Sequence, residues 1–410
     1  MHIALVTHHY TPEVGAPQRR WDAFVQRFTA AGHRVTVLAP SPHYPSGRAD
    51  DLSPDLSSGA VTTGRHGETI YRLRWREHGP GLASRSVDQA VSAHHAITTA
   101  VAHLRASGHR PDVIIGTAPG LPSIPAALLI GAALRRPVII EMRDAWPDLI
   151  APSGMWGPDA QRSWKSTITR AAHNAITYMQ RNAAAVVTTT ATFGEVMAAR
   201  GMRNVTVIRN GATLTSLPHL PAPADRNDNT VRVLYAGTLG RAQGLGVAVQ
   251  AATLAHRAGL DIDLRIIGAG ADGGILRNLA LHTPARVDVI DRINPDEVLA
   301  QYAWADTTLV SLRAWDPFSW TVPSKTYELL SVGRHISAAV EGEAALIVRD
   351  ARAGHVVTPE APGELAALWQ DVNRHRHLLD VGHGGRAWVA ANANHDSLAA
   401  VYLDLLAGVA

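Results

Sequence analysis

The stretch that decides the fold runs from residue 3 to residue 39: IALVT (3–7), HHYTPEVGAP (8–17), QRRWDAFVQRFTAA (18–31), then VTVLA (35–39). IALVT is a short apolar run, and the segment after the polar loop places Trp21, Phe24, Val25 and Phe28 at i, i+3, i+4 and i+7, one face of a helix. Gly32 punctuates the end of that helix, and VTVLA is a second run rich in β-branched residues. Strand, helix and strand make one βαβ unit, so the sheet is parallel and ligands are expected at the loops that follow its strands.

The pattern continues outward. Residues 41–64, rich in Pro, Ser, Gly and Asp, read as a long surface loop of the kind that covers a site. TIYRLRW (69–75), DVIIGT (112–117), PVIIEMRD (137–144) and AAVVTTT (184–190) read as further strands, separated by Ala-rich helical segments. PHLPAPADRNDN (218–229) has the composition of a linker. Beyond it VRVLYAG (231–237), IDLRIIGAG (262–270), ARVDVID (285–291), DTTLVSL (306–312) and HISAAV (335–340) repeat the alternation. The expected organisation is an α/β chain with two Rossmann-like domains, residues 1–217 and 230–385, joined by the 218–229 linker. Residues 386–410 form a last helix, with Leu398, Val401, Tyr402 and Leu405 at helical spacing, that either finishes the second domain or packs back on the first.

Composition agrees with that plan. At 410 residues the chain exceeds the roughly 100–200 residues of one ordinary domain. Its 46% hydrophobic and 18% charged residues are those of a folded globular chain, not a disordered one. The absence of cysteine excludes disulfides, thiolate metal sites, iron–sulfur clusters and a Cys nucleophile. The apolar run at the N-terminus is too short for a signal-peptide core, and no segment offers about eighteen uninterrupted apolar positions, so a cytoplasmic protein is expected. The first 200 residues carry 20 Lys plus Arg against 14 Asp plus Glu, and the remaining 210 carry 18 against 21. The basic half suits an anionic partner, either a phosphate-bearing acceptor or a membrane surface contacted peripherally; scattered solvated arginines would give the same count. No basic run interleaved with aromatics marks a nucleic-acid site.

Three stretches carry candidate chemistry. YAGTLGRAQGLG (235–246) clusters Gly237, Gly240, Gly244 and Gly246 before a helical segment, where backbone N–H groups and Arg241 suit a phosphate; tight βα geometry alone would explain the glycines equally well. GAGADGG (268–274), opening on Gly268, has the same two readings. PSKTYELLSVG (323–333) holds one of only two lysines in the chain, the other being Lys165. Pro323 can open a helix with Ser324 as its cap, which sets Lys325 and Glu328 at i and i+3 on one face. That pair is either a surface ion pair worth roughly 0.3–0.5 kcal/mol, or a division of labour in which Lys325 holds a phosphate and Glu328 a pair of sugar hydroxyls.

Taken in order, PEVGAPQRR (12–20), AAGHRVTVLA (30–39), MRDAWPD (142–148), VIRNGA (207–212), YAGTLGRAQGL (235–245), RIIGAG (265–270) and PSKTYELLSVG followed by EAALIVRDARAGHVV (343–357) resemble the family 4 retaining glycosyltransferases, in particular the branch that transfers N-acetylated hexosamines in surface-polysaccharide synthesis. The resemblance implies a GT-B fold, two Rossmann-like domains facing across a cleft, with an acceptor-binding first domain and a nucleotide-sugar-binding second one. It implies a UDP-sugar as co-substrate and neither a cofactor nor a metal. Gly15 matches the residue whose backbone approaches the donor diphosphate, Glu328 the glutamate that binds the ribose hydroxyls, and Arg241 and Lys325 the basic residues that neutralise the diphosphate. The chain departs from the family at Trp320, where a glutamate usually touches the donor sugar, at Gln243, where many members have lysine, and at Arg143 and Asp144, where many have a histidine.

In such an enzyme arginine, lysine and helix N-termini stabilise the charge growing on the departing diphosphate, one preorganised donor being worth roughly 3–4 kcal/mol. Asp144, at a strand end, is read as orienting the acceptor hydroxyl or acting as its base, against a plain role in capping or pairing with Arg143. His9, Arg19, His43 and Trp146 are the acceptor-side candidates, with His8 beside them. The acceptor is a lipid-linked saccharide, which the QRSWKSTITRAAH segment (161–173) would suit, or a small natural product. The 21 histidines include no HExxH pair, and the one HxH pair, His375 and His377, lies in a polar helical stretch. Two alternatives share the architecture: a nucleotide-sugar 2-epimerase, and a non-catalytic sugar-nucleotide binding protein. An NAD enzyme would need GxGxxG after the first strand, which HHYTPEVGAP lacks.

Overall fold

The computed structural model describes every residue except 45, 50–51, 80, 107–108, 151, 153–162 and 225–228. The chain divides into two units, the first made of Met1–Asn210 and His395–Ala410, the second of Gly211–Asn394.

The opening βαβ unit is β1 (His2–Val6), α1 (Ala16–Ala30) and β2 (Arg34–Pro40). Pro17 sits in the first turn of α1, where its missing N–H has no helical partner to lose. At the other end Gly32, at φ +83°, takes the left-handed turn that lets its N–H reach the Thr29 carbonyl and the His33 N–H reach that of Phe28. Trp21, Phe24, Val25 and Phe28 are all buried against the sheet, each apolar side chain contributing about 1.5–3 kcal/mol.

The first unit continues with β3 (Val61–Thr63), β4 (Thr69–Leu73), α2 (Leu82–Leu104), β5 (Val113–Thr117), α3 (Ser123–Leu134), β6 (Val138–Met142), α4 (Ser163–Arg181), β7 (Ala185–Thr188), α5 (Ala191–Ala199) and β8 (Val205–Val207). Its eight-stranded sheet has the order β3-β4-β2-β1-β5-β6-β7-β8, parallel throughout except for the β3–β4 pair. The order reverses between β1 and β5, so the loops after these two strands flank the switch point where doubly wound sheets bind ligands.

The second unit contains β9 (Thr230–Ala236), α6 (Gly246–Arg257), β10 (Asp261–Ile267), α7 (Gly273–Leu281), β11 (Arg286–Ile290), α8 (Pro295–Trp304), β12 (Thr307–Ser311), α9 (Lys325–Val332), β13 (His335–Ala339), α10 (Gly342–Asp350), β14 (Gly354–Val357), α11 (Pro362–Arg374) and α12 (Gly384–Asn392). Six parallel strands run β11-β10-β9-β12-β13-β14, with the reversal between β9 and β12. Trp369 of α11 is buried in the core with Val231, Val233 and Leu264.

Three expectations change. The segment read as a linker at 218–229 lies within the second unit, which starts at Gly211: the Leu220 N–H donates to the Val332 carbonyl, and Arg386 donates to the carbonyls of Leu214 and Leu217. Residues 225–228 of that stretch lie outside the described residues. The single C-terminal helix is two, because the chain leaves α12 at Ala393, whose carbonyl accepts from Ala212, before α13 (His395–Val409) begins in the first unit. There Tyr402 of α13 is buried among Trp21, Phe24 and Phe28. The stretch 41–64 is not all surface, for Ser41 and His43 are buried and β3 closes its far end. Among the described residues no helix is long and apolar enough to cross a membrane.

Candidate active site

In the second unit the groups singled out from the sequence lie in the loops after β9, β10 and β12 and at the start of α9, beside the β9/β12 reversal. The Gly240 N–H donates to Oε1 of Gln243 at 3.1 Å, so the Gln243 side chain closes its own turn instead of extending outward. Arg241 is exposed, and its carbonyl is fixed by the Arg313 Nε–H at 2.8 Å. Arg313 in turn pairs with Glu360 at 2.8 Å. Gly268, at φ +150°, serves packing: a Cβ there would overlap the Gly237 carbonyl oxygen, so the β9 and β10 loops close on each other only over glycine. Trp320 is partly buried at the end of the 3-10 turn Asp316–Trp320.

Ser324 does not cap α9 with its side chain, because its own backbone is already helical at φ −57°, ψ −28°. Lys325 and Glu328 do meet. Lys325 Nζ lies 3.4 Å from Glu328 Oε2, and both side chains keep about a quarter of their surface or less, 24% and 20%. Nothing in the spacing of residues pointed to the third member. Tyr302, buried in the last turn of α8, stands between them: the Lys325 ammonium donates to its phenol oxygen at 2.9 Å, and the phenol donates to Glu328 Oε1 at 2.8 Å. Its signal was lost because 23 residues separate Tyr302 from Lys325. Glu328 and Tyr302 line an open cleft of about 260 Å³ whose other walls include Leu217, Pro218, Asp296 and Leu299. The arrangement offers one carboxylate and one ammonium, aligned by a shared phenol, to a ligand with hydroxyl and anionic groups.

In the first unit the groups cluster in the loops after β1, β2 and β6. Gly15 precedes α1 with extended backbone, and its position is closed by Gln18 Oε1, 2.5 Å from where a Cβ would lie. Gln18 donates to Glu13 Oε2 at 2.8 Å, while Glu13 Oε1 accepts from the N–H groups of His43 and Tyr44, each at 2.9 Å. Burial works against the Glu13 carboxylate, but the neighbouring His9 ring and the hydrogen bonds from the N–H groups of His43 and Tyr44 hold its pKa below the usual value. His9 packs edge-on against His8 and Tyr44, and burial lowers it to about 4 despite Glu13 3.7 Å away. His9 is therefore a neutral imidazole at pH 7.

His43 is held differently. Its Nδ1 is 2.7 Å from the Ser41 carbonyl oxygen and its Nε2 3.1 Å from Asp88 Oδ2, while His8 Nε2 reaches the same oxygen at 3.0 Å. Burial lowers the His43 pKa, but these two acceptors outweigh it and raise the group above its ordinary value. Arg19 is exposed on α1, whereas its neighbour Arg20 is buried and donates to Glu141 of β6 from Nε and Nη2. Beyond β6, Arg143 is buried with its Nε–H directed at the Ala118 carbonyl, 3.2 Å away. Burial pushes the Asp144 carboxyl up, with Arg143 opposing it. The Asp144 carbonyl accepts from the Trp146 backbone N–H at 2.7 Å, a tight turn after the strand, and the Trp146 side chain is partly buried. Asp148 of the same motif is tied to Arg200 at 2.7 Å and to His173 at 3.3 Å. Gln161, Arg162 and the side chain of Lys165 lie outside the described residues.

Two family models match the chain. The Glycosyl transferase 4-like domain matches residues 15–211 and Glycosyl transferases group 1 matches residues 230–374, between them most of both units. The chain belongs to the glycosyltransferases. Its two parallel-sheet α/β units are those of the GT-B fold. Among solved structures, sucrose-phosphate synthase from Thermosynechococcus elongatus is similar at 17% identity and TM-score 0.72, over 99% of each chain. HepE from Anabaena, in complex with UDP-glucose, is similar at 14% identity and TM-score 0.65 over the whole of both chains. The lipopolysaccharide outer core galactosyltransferase WaaB in its apo form is similar at 14% identity and TM-score 0.62, over 99% of each chain. At these identities the likeness is one of fold. No curated protein matches the glycosyltransferase.

Proposed function

We propose that this glycosyltransferase moves a sugar, an N-acetylhexosamine, from a UDP-sugar to an acceptor hydroxyl with retention of configuration, and that the chemistry at the diphosphate needs no metal. The observation that carries the reading is the Lys325–Tyr302–Glu328 cluster beside its cleft. Glu328 presents acceptor oxygens to the vicinal hydroxyls of a ribose, and Lys325 and Arg241 present positive charge to the diphosphate. The UDP-glucose bound to HepE, a protein of the same fold, supports a UDP-sugar as donor. In the step itself the bond between the anomeric carbon and the diphosphate oxygen breaks, the acceptor oxygen bonds to that carbon from the same face, and the acceptor proton passes to the departing phosphate oxygen. UDP and the glycoside leave.

We assign recognition of the acceptor to the loops of the first unit, with Asp144 accepting a hydrogen bond from the reacting hydroxyl in its ionised form. A lipid-linked saccharide reached by peripheral contact at the inner face of the membrane is the acceptor that the basic first half favours. A small natural product is the alternative, and co-sedimentation with anionic vesicles separates them: lipid dependence predicts binding at low salt and release at high salt.

The donor assignment is tested by thermal unfolding with UDP, GDP, TDP, CMP and NADH. UDP at a hundred times its dissociation constant should add roughly 2.7 kcal/mol, and Glu328→Ala should lose that gain. Stabilisation by NADH, or by none of the five, would remove the donor site from α9. Turnover of a UDP-sugar without acceptor to a 2-epimer would replace transfer by epimerisation.

A further inference from the structure

We infer that His8, His43 and Asp88 form a binding site for a divalent transition-metal ion of the zinc class, with His78 at its edge. Among the described residues this is the one group of three whose ligand atoms converge, all within 4.8 Å of one another, and all three residues are buried. The side chain of Asp88, from α2, is 0% exposed. Its Oδ1 is committed to the Arg76 N–H at 2.9 Å, which leaves Oδ2 facing the imidazoles.

The backbone contacts of two of the rings turn a lone pair toward that point when the imidazoles are neutral. The Ser41 carbonyl can only accept, so His43 Nδ1, 2.7 Å away, carries a proton, and a neutral His43 turns the bare lone pair of Nε2 toward the carboxylate oxygen 3.1 Å off. His78 repeats the arrangement: its Nδ1 donates to the Gly79 carbonyl at 2.9 Å and its Nε2 faces the same Oδ2 from 3.8 Å. His8 Nε2 completes the set at 3.0 Å. One carboxylate oxygen thus faces three ring nitrogens, two of which have their neutral-form proton on the far side. A divalent cation placed there takes the carboxylate oxygen and the ring nitrogens together as ligands.

Both nitrogen–oxygen edges are close to those of a tetrahedral site, and all three ligand atoms lie within 4.8 Å of one another. A tetrahedral zinc with bonds of about 2.0–2.1 Å holds its ligand atoms roughly 3.3 Å apart, and the two nitrogen–oxygen edges here are 3.0 and 3.1 Å. A ring whose Nδ1–H is fixed by a backbone carbonyl is the outer arrangement that orients Nε2 toward a metal. Trp75 lies flat on the His43 ring, 4.6 Å between centroids and 13° between planes, which holds the ligand plane in place. Two nitrogens and one carboxylate oxygen suit zinc, and three protein ligands leave a fourth position for His78 or for an acceptor oxygen. The ion would sit in the first unit, between the loops after β1 and β2 and helix α2, whereas Lys325 and Arg241, the charges assigned to the diphosphate, belong to the second. The inference therefore stands or falls without the proposed donor chemistry.

The experiment uses untagged full-length protein stripped with chelator, then titrated with Zn²⁺ against a competing chelator and with Co²⁺ by visible absorption. One equivalent of either ion should bind, Co²⁺ giving the intense bands of a four- or five-coordinate site. Asp88→Asn and His43→Phe should each weaken binding by more than about a hundredfold. The His375→Ala/His377→Ala variant removes the HxH pair, whose rings lie 6.0 Å apart, and should bind as wild type does. Absence of a stoichiometric site, or a site lost in that control variant, overturns the inference. If Asp88→Asn and His43→Phe do not fold, zinc X-ray absorption of the control variant decides: a shell with at least two imidazoles supports the site, and one or none rejects it.

Discussion

Arg20 is the residue on which the first unit's polar core turns. Its Nε and Nη2 meet Glu141 at 3.2 and 2.9 Å, and its remaining donors reach the carbonyls of Ile208 and Arg209 at 2.9 and 2.6 Å. Glu141 also accepts from Thr117 and from Tyr402 of α13. Both charges are fully withdrawn from water, so each depends on the other. Arg20→Met should cost about 3–5 kcal/mol, the penalty of a buried charge left without its partner. Arg20→Met/Glu141→Met should recover much of it, since no orphaned charge remains. Denaturant unfolding followed by far-UV circular dichroism measures both; equal losses in the single and double variants would mean that the ion pair is not the source. Tyr302 is the corresponding residue of the candidate site. Tyr302→Phe keeps the ring packed and removes only the phenol that aligns Lys325 and Glu328. Its fold should be unchanged within about 1 kcal/mol, while affinity for UDP falls roughly 5–10-fold, the net worth of about one ordinary hydrogen bond. An unchanged affinity in a binding titration would make Tyr302 a packing residue.

Among the strands and helices, the strand–loop–helix pattern was legible where short runs of apolar and β-branched residues stand, as in VIIGT, because strands buried on both faces are largely apolar. The edge strands β8 and β14, of three and four residues, are too short and too little buried to leave such a run. The Pro-rich segment at 218–229 misled for a different reason. Proline marks the absence of regular structure, and the Leu220 and Arg386 bonds show that irregular backbone still packs. Of the candidate site, the loops after strands could be placed because βα topology fixes them, whereas Tyr302, His78 and Asp88 find their partners only in three dimensions. The packing of loop on loop also predicts which glycines matter. Gly268→Ala would set a methyl against the Gly237 carbonyl and hold alanine at φ +150°, at a cost of about 3 kcal/mol or more in the second unit. Gly274→Ala, in the first turn of α7 with nothing within 4 Å, should be neutral or add up to about 1 kcal/mol. Comparable losses in the two variants would contradict a steric role for Gly268.

The protein as a whole carries a pH dependence set by histidines buried in their neutral form. Burial, with Arg34 adding to it, lowers His2 to about 4. The same cause lowers His395 to about 4, helped by Arg27 and Arg20. His335, which shares a 2.8 Å contact with His355, is lowered to about 3. Each would titrate near 6.5 in the unfolded chain. Between pH 6.5 and about 4 the unfolded state therefore binds protons that the folded state refuses, and stability must fall as pH falls through that window. The slope is about 1.4 kcal/mol per pH unit for each such group, so the three alone should give roughly three times that value between pH 6 and 5. Thermal unfolding at pH 8, 7, 6 and 5 should show a nearly level midpoint down to pH 7 and a steep decline below it. His395→Leu keeps an apolar contact with Phe24, 6.1 Å away in the native ring pair, and removes one of the refused protons. Whatever its starting stability, its decline between pH 6.5 and 5 should be shallower than wild type by about one proton's slope. A wild-type midpoint that stays level from pH 7 to 5 would mean that these rings take up their protons in the folded state, and that they are less buried than their surroundings require.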